Sequence, residues 1–96
     1  MTLKQFLTAL KKKTKKTGVT WRLTRGDMIR ATYKKHSVCP LWFLSELPEE
    51  TDRSIRKLGL SGKTGIMIYE AADNSAIHDD LREQLLEAVG LREEGQ

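Results

Sequence analysis

Near the start of the chain, apolar residues recur at the spacing that places them on one face of an α-helix, at Leu3, Phe6, Leu7 and Leu10. Thr2 and Gln5 open this stretch with the pattern of a capping box, in which each side chain accepts a hydrogen bond from the other residue's backbone N–H. Gly18 predicts the end of the helix, because glycine enters the left-handed conformation without a steric penalty. The pattern therefore predicts an amphipathic N-terminal helix.

From residue 19 the period of the apolar pattern changes to two, which is typical of a β-strand with one buried face. The apolar positions are Val19, Trp21, Leu23, Ile29, Ala31 and Tyr33. Residues 25–27, which are Arg-Gly-Asp, interrupt the alternation as a turn, so the two stretches predict a two-stranded β-hairpin. Arg22 and Arg30 would share its opposite, solvent-facing side. Residues 34–37 are expected to form a polar, basic connection.

Helices are expected after the hairpin. Pro40 suits the first turn of a helix, where its missing N–H costs nothing. Residues 41–47 form the most apolar segment of the chain, and Pro48 helps to end it. Residues 49–58 predict the next helix, which leads into a turn at Gly59.

Residues 62–72 fit two structures. The run from Ile66 to Tyr69 is compatible with a short buried strand, because β-branched and aromatic residues favour strands. The Glu-Ala-Ala sequence that follows favours a helix, and Ser61 offers a cap for its start. We take the helix as the preferred interpretation.

The last helix has a clear apolar face at Ile77, Leu81, Leu85 and Val89. One of residues 73–75, which are Asp, Asn and Ser, is expected to cap its start. Gly90 is expected to end it, and Leu91 to fold back onto it.

Together these elements predict the α+β fold class, with an N-terminal helix, a two-stranded β-hairpin and then three to four short helices that form a mostly helical C-terminal half. The 96 residues suit a single small domain, 1–96, with residues 92–96 as a frayed tail. The longest apolar run, Leu41 to Leu44, is too short to span a bilayer, and the N-terminus lacks a signal-peptide core. The single cysteine, Cys39, fits a reducing compartment. We therefore expect a cytoplasmic protein with no membrane partner.

Residues 53–72 have the outline of a helix-turn-helix, with a Leu-Gly-Leu-Ser turn at 58–61. Such motifs usually carry a small residue where Ile55 falls and an apolar residue where Gly65 falls. Here the apolar Ile66 comes one position late. These departures favour a plain helical hairpin that closes the core over a DNA-reading motif.

The distribution of charge is more informative than the net charge of +4. Residues 1–45 contain eleven Lys and Arg residues against one acid, a net charge of +10, whereas residues 46–96 contain six against twelve acids, a net charge of −6. Such asymmetry indicates either a basic face for an anionic partner or a basic half that docks on an acidic one.

The basic half is the main candidate for function, because Lys and Arg side chains can contact phosphates and release counterions. The candidate nucleic-acid-binding residues are Lys11, Lys12, Lys13, Lys15, Lys16, Arg22, Arg30, Lys34 and Lys35. We expect a small non-enzymatic accessory protein that binds nucleic acid weakly. The alternative is a protein-interaction module or a homodimer that pairs basic and acidic halves, so the partner is nucleic acid, another protein or a second copy. A merely solubilising surface is also compatible with these residues.

Other patterns give no catalytic residues, no metal site and no cofactor. Residues 59–64 approach a phosphate-binding loop, but its first glycine would fall at Lys57 and the preceding segment is helical in character. His36, Cys39 and His78 are too few for a structural zinc site, which normally takes four ligands.

Cys39 and the acidic residues of the last helix are each compatible with a chemical role and with a purely structural one. Cys39 would lie at a helix N-terminus near two lysines, which favours a thiolate, but it equally suits a packed apolar position. The acidic residues of the last helix are Asp79, Asp80, Glu83 and Glu87. We expect them to form a solvated face that also includes Arg82.

Several short motifs resemble those of small uncharacterised proteins encoded by bacteria and their phages, a family with a domain of unknown function. The motifs are Cys-Pro at 39–40, Leu-Gly-Leu-Ser at 58–61, Ala-Ala-Asp-Asn at 71–74, Leu-Arg at 81–82 and Ala-Val-Gly-Leu at 88–91. The resemblance covers most of the chain and implies an α+β domain with a helical C-terminal half, of phage or mobile-element type. It implies no activity and no functional residues.

Overall fold

The computed structural model describes residues 1–46 and 50–92. Its elements in chain order are α1 (Leu3–Thr17), β1 (Trp21–Leu23), β2 (Ile29–Tyr33), β3 (His36–Val38), α2 (Pro40–Ser45), α3 (Thr51–Leu58), α4 (Gly62–Asp73) and α5 (Asp79–Ala88). The predicted fold class is confirmed. The protein is α+β, with an N-terminal helix, an antiparallel sheet and a helical C-terminal half.

Both ends of α1 form as the sequence predicts. Thr2 Oγ1 accepts from the Gln5 backbone N–H at 3.2 Å, and Gln5 Oε1 accepts from the Thr2 N–H at 2.8 Å, which completes the capping box. Gly18 ends the helix in the left-handed conformation with φ 65°. The apolar face docks α1 on the rest of the protein through Phe6 and Leu10, which are fully buried.

The sheet has three strands in the order β1-β2-β3, one more than predicted. Residues 34–37 are not a simple connection, because Tyr33 pairs with His36 and the chain reverses over Lys34 and Lys35 alone. Both lysines have positive φ, 48° and 70°, as a type I′ hairpin turn requires. Such turns usually carry Asn-Gly, so Lys-Lys gave no hairpin signal in the sequence.

The strands β1 and β2 follow the predicted alternation, but two side chains differ from the predicted exposure: Leu23, and Arg30, which was expected to face solvent and is only 16% exposed. Arg22 lies directly opposite Arg30 on one side of the sheet, and Trp21 is opposite Ala31 on the buried side. Leu23 was expected on the buried side but is 38% exposed, because it lies at the end of an edge strand beside the turn.

Residues 62–72 form a helix, which decides between the two structures that the sequence allowed. Ser61 Oγ accepts from the Thr64 backbone N–H at 3.2 Å and so caps the start of α4. Gly59 ends α3 with φ 69°, as predicted. Pro40 occupies the first turn of α2. The predicted roles of Leu47, Pro48 and Glu49 in ending α2 and starting α3 lie outside the described residues, as does the tail after residue 92.

The expected cap on α5 is wrong. The residue before this helix is His78, which has φ 54° and makes no side-chain cap bond. Asn74, one of the predicted caps, instead accepts from the Ala76 backbone N–H at 2.9 Å within the loop. Leu81, Leu85 and Val89 of the predicted apolar face are buried, whereas Ile77 lies before the helix and is half-buried. The Leu91 N–H donates to the Leu86 carbonyl at 2.8 Å as the chain folds back.

The core lies between the sheet and the helices. Its fully buried side chains come from every layer and include Phe6, Leu10, Ile29, Val38, Leu41, Phe43, Ile68 and Leu85. Phe43 is central, because the rings of Trp21 and Tyr33 both contact it edge-on, with centroids 5.2 and 5.1 Å away. None of the helices within residues 1–46 and 50–92 is long and apolar enough to span a membrane.

Candidate nucleic-acid interface

Two lysines from different helices converge on the C-terminal end of α2. The last carbonyls of a helix lack partners within it and carry the negative end of its dipole. Lys13 Nζ, from α1, donates to the Phe43 carbonyl at 3.0 Å. Lys57 Nζ, from α3, donates to the Ser45 carbonyl at 2.8 Å. The short helix therefore fixes the positions of two cationic groups.

Glu46 lies among these lysines and responds to their charge. Its Oε1 accepts from Lys13 Nζ at 3.1 Å. This hydrogen bond from Lys13 and the charge of the same ammonium group hold the pKa of Glu46 below its ordinary value, and Lys34 and Lys57 contribute in the same direction. Three lysines from α1, the β2–β3 turn and α3 therefore act on one carboxylate, although the sequence places Lys57 in the acidic half.

Two of the lysines lie over the ring of Tyr33. Lys13 Nζ is 5.2 Å from its centroid and Lys34 Nζ is 5.3 Å from it, distances at which a cation is attracted to an aromatic ring. Phe43 contacts the Tyr33 ring edge-on at an interplanar angle of 88°. Tyr33 is half-buried, so part of its side chain remains accessible to solvent.

A groove of about 470 Å³ runs along this surface, and we call it the basic groove. Its cationic side consists of Lys12, Lys13 and Lys16 from α1. Its other lining residues are Ala9, Thr17, Tyr33, Leu44 and Glu46. Lys12 and Lys16 are exposed, so their ammonium groups can reach a bound anion.

The nine predicted binding residues do not form one surface. Lys12, Lys13 and Lys16 line the basic groove, and Lys34 lies beside it. Lys15 and Lys35 are exposed, and Lys35 follows Lys34 in the same tight turn.

The other three predicted residues lie elsewhere. Lys11 faces α5, where it lines a separate groove of about 310 Å³ with Glu87. Arg22 lies across the outer side of the sheet and donates to Thr32 Oγ1 at 3.2 Å. Arg30 is paired with Asp73 of α4, and its side chain is only 16% exposed.

Sequence reasoning missed Lys57 as a member of this region. Its position in the last turn of a predicted helix signals only that it complements the helix dipole. Its proximity to Glu46 depends on how α2 and α3 pack together, which no local pattern reports. Tyr33 was also missed, because its alternation pattern assigned it to the core.

The residues considered for a reactive thiol, a phosphate-binding loop and a metal site have geometries that differ from what those chemistries require. Cys39 is 2% exposed and burial raises the pKa of its thiol, which is the reverse of what a reactive thiolate requires. Residues 59–64 contain the end of α3 and the cap of α4, so the segment follows a helix, not a buried strand. Within the described part of the chain, no three His, Cys, Asp or Glu side chains come together as a metal site would need.

Arg82 does not take part in a solvated acidic face, in contrast to the expectation. It is 6% exposed, and its guanidinium donates to the Ala71 carbonyl at 2.9 Å and to the Asp27 carbonyl. Asp79, Asp80 and Glu83 are exposed, whereas Glu87 is half-buried.

Comparisons of this chain with protein-family models, with curated proteins and with solved structures give no match.

Proposed function

We propose that this protein is a non-enzymatic, cytoplasmic accessory protein that binds nucleic acid weakly through the basic groove. The observation that carries the proposal is the convergence of lysines at one place: three from α1 line the basic groove, Lys57 of α3 binds the end of α2 beside it, and Lys34 of the β2–β3 turn lies over Tyr33. Lys13 and Lys57 are held by the carbonyls of α2, whereas Lys12 and Lys16 extend from the adjacent face of α1. A polyanion that follows the groove meets several cationic groups in succession.

The energetics expected of such a surface are electrostatic and independent of base sequence. Each phosphate that a lysine neutralises releases a counterion, so affinity falls as the salt concentration rises. Only a few lysines lie along the groove, so we expect the binding to be weak. The phosphate contacts themselves carry no information about sequence.

The backbone of the β2–β3 turn supports the proposal. Lys34 and Lys35 both occupy the left-handed region, which costs an L-residue about 1–2 kcal/mol. Strained residues of this kind cluster at ligand-binding sites. Here the turn keeps two adjacent lysines exposed beside the groove, where glycine or asparagine would relieve the strain but remove the charges.

A second candidate is self-association between the basic groove and the acidic side of α5 in another copy. The exposed carboxylates of Asp79, Asp80 and Glu83 favour it, because they provide a surface of opposite charge on the same chain. Salt weakens this contact as it weakens nucleic-acid binding, so salt dependence does not distinguish the two candidate functions. The identity of the partner that binds distinguishes them.

The test is fluorescence anisotropy of labelled single-stranded and duplex DNA, titrated with the protein at about 50 and 200 mM salt. We expect micromolar binding that weakens steeply with salt. The double variant Lys12→Gln/Lys16→Gln should lower affinity and reduce the steepness of the logarithmic salt dependence by about 1.8 on duplex DNA and about 1.4 on single strands, since each contact contributes about 0.9 and about 0.7 respectively.

The matched control is Arg25→Gln/Lys63→Gln, which removes the same charge from exposed positions away from the groove. Equal losses in the two variants would assign binding to net charge alone and contradict the proposal. The absence of binding at the lower salt concentration would discard it. A concentration-dependent dimer in sedimentation at low salt, with no DNA binding, would support self-association instead.

A further inference from the structure

Three of the residues that line the basic groove are apolar or aromatic, which phosphate binding alone does not require, and we call their shared surface the groove bottom. Ala9 of α1, Tyr33 of β2 and Leu44 of α2 all line it, and each is half-buried. Three elements therefore bring partly exposed apolar surface to one place, directly beside Lys12 and Lys16. A ligand that matches the groove has anionic groups at one edge and a flat or apolar part that covers this bottom.

Tyr33 is held in a fixed orientation by its neighbours. Phe43 contacts its ring edge-on and is itself fully buried, and Lys13, which donates to the Phe43 carbonyl, has its Nζ 5.2 Å from the centroid of the Tyr33 ring. An aromatic ring that is already fixed loses little conformational entropy when a second ring stacks on it. Lys34 is exposed, so its ammonium group can leave the ring and follow a phosphate when a base occupies that place.

Duplex and single-stranded nucleic acid differ in what they offer to such a groove. A duplex stacks its bases internally and presents mainly phosphates and sugars, so its bases do not reach the groove bottom. In a single strand the unstacked bases can turn outward and stack on aromatic side chains while lysines follow the backbone.

From this geometry we propose that the basic groove binds single-stranded nucleic acid, with a base against Tyr33 and the flanking phosphates at Lys12 and Lys16. The proposal rests on the proposed function and adds the class of ligand. Because every base has an aromatic face, the groove is expected to accept different sequences.

The decisive comparison uses three ligands with the unmodified full chain. They are a labelled thymidine oligonucleotide, an abasic oligonucleotide with the same number of phosphates, and a duplex of the same length. We expect the thymidine strand to bind about tenfold more tightly than the abasic strand, as one stacked base would provide. The duplex carries about twice as many phosphates, so its affinity is expected to follow its charge density and salt dependence, with no gain from stacking on Tyr33. No substitution is needed for this measurement, so it does not depend on the folding of a variant.

Two substitutions then locate the base. Tyr33→Phe keeps the ring and should preserve the preference for the thymidine strand. Tyr33→Leu should abolish the preference while the salt-dependent binding of the abasic strand persists. Thermal unfolding followed by circular dichroism checks that both variants are folded.

Equal affinity for thymidine and abasic strands would overturn the inference and leave the proposed function in place. A preference that persists in folded Tyr33→Leu would overturn it too, because the base would then contact another surface. The failure of all three ligands to bind at low salt would remove the proposed function itself.

Discussion

Ile55 of α3 fills the space where a side chain at position 65 of α4 would begin. A Cβ atom placed on Gly65 would lie 2.2 Å from Ile55 Cγ1 and 2.7 Å from its Cδ1. The two helices are joined by the three residues 59–61, and their close approach requires one small residue at this contact. The small residue is on the second helix and the large one on the first, which is the reverse of the usual helix-turn-helix arrangement. The two departures in the sequence therefore compensate each other.

Gly65→Ala is expected to destabilise the protein by up to about 2 kcal/mol net, because overpacking a core usually costs about 1–3 kcal/mol. The cost should exceed the roughly 1 kcal/mol that alanine gains over glycine in a helix interior. Chemical denaturation measures the change in the free energy of unfolding. In an Ile55→Ala background, where the clashing atoms are gone, the same substitution should be neutral or stabilising.

Gly62→Ala is the matched control in the same helix. A Cβ at Gly62 meets no atom within 4 Å, so this substitution should not destabilise the protein. If Gly65→Ala is as well tolerated as Gly62→Ala, the close approach of α3 and α4 is not as described.

Arg82 ties α5 to two other parts of the fold, and we expect its loss to be costly. Its guanidinium donates to carbonyls at the end of α4 and in the hairpin turn, at Ala71 and Asp27. Arg82→Met keeps much of the apolar length but leaves both carbonyls without this donor, which should cost about 2–4 kcal/mol, given that hydrogen bonds from charged groups contribute about 1.5–3 kcal/mol.

Two variants test the reason for that cost by chemical denaturation. Arg82→Lys should recover only part of the stability, because an ammonium group cannot reproduce the fork of the guanidinium. Arg92→Met replaces an exposed arginine just after α5, so it should change the free energy of unfolding by no more than about 0.5 kcal/mol. Similar values for Arg82→Met and Arg92→Met would show that the buried contacts of Arg82 contribute little.

The sequence predicted those features that depend on neighbouring residues. The capping box at Thr2 and Gln5, the left-handed Gly59 and the cap at Ser61 are local, and all three are confirmed. Arg82 could not be predicted in this way, because its partners lie 11 and 55 residues away and its neighbours in the sequence are acidic. The same reason applies to Lys57 and Tyr33, whose places beside the basic groove depend on packing between separate elements.

Lys34 and Lys35 are expected to lower the stability of the turn, because both are in the left-handed conformation, while they supply two positive charges beside the basic groove. Lys34→Asn/Lys35→Gly supplies the residues that a type I′ turn prefers, so it should raise the free energy of unfolding by about 1 kcal/mol. It also removes two cations beside the basic groove, so nucleic-acid affinity should fall. The two effects are measured by chemical denaturation and by anisotropy.

Lys34→Gln/Lys35→Gln separates the two effects of that substitution. It removes the same charges but leaves two side chains in the left-handed conformation, so affinity should fall while stability stays close to that of the original chain. A rise in stability with glutamine would mean that repulsion between the lysines, not backbone strain, limits the turn.

Glu46→Gln is expected to strengthen nucleic-acid binding, in contrast to the lysine variants. The Glu46 carboxylate lines the basic groove and accepts from Lys13, so it competes with a phosphate for the same cation. Removing its negative charge should raise affinity several-fold at low salt, and the gain should diminish at high salt, where charges are screened. Unchanged affinity would place the bound phosphates away from Lys13.

The same substitution has a dependence on pH that follows from the lowered pKa of Glu46. Its ordinary value is 4.5, and the hydrogen bond and charge of Lys13 lower it in the folded protein. Above pH 4.5 the carboxylate is ionised in both folded and unfolded chains, so its stabilising effect is fully present; as the pH falls through the lowered folded-state value, that effect is lost. The stability difference between the original chain and Glu46→Gln should therefore be constant near neutral pH and shrink below pH 4.5. Denaturation series at several pH values measure it, and a difference that stays constant down to strongly acidic pH would show that Lys13 does not stabilise the ionised carboxylate.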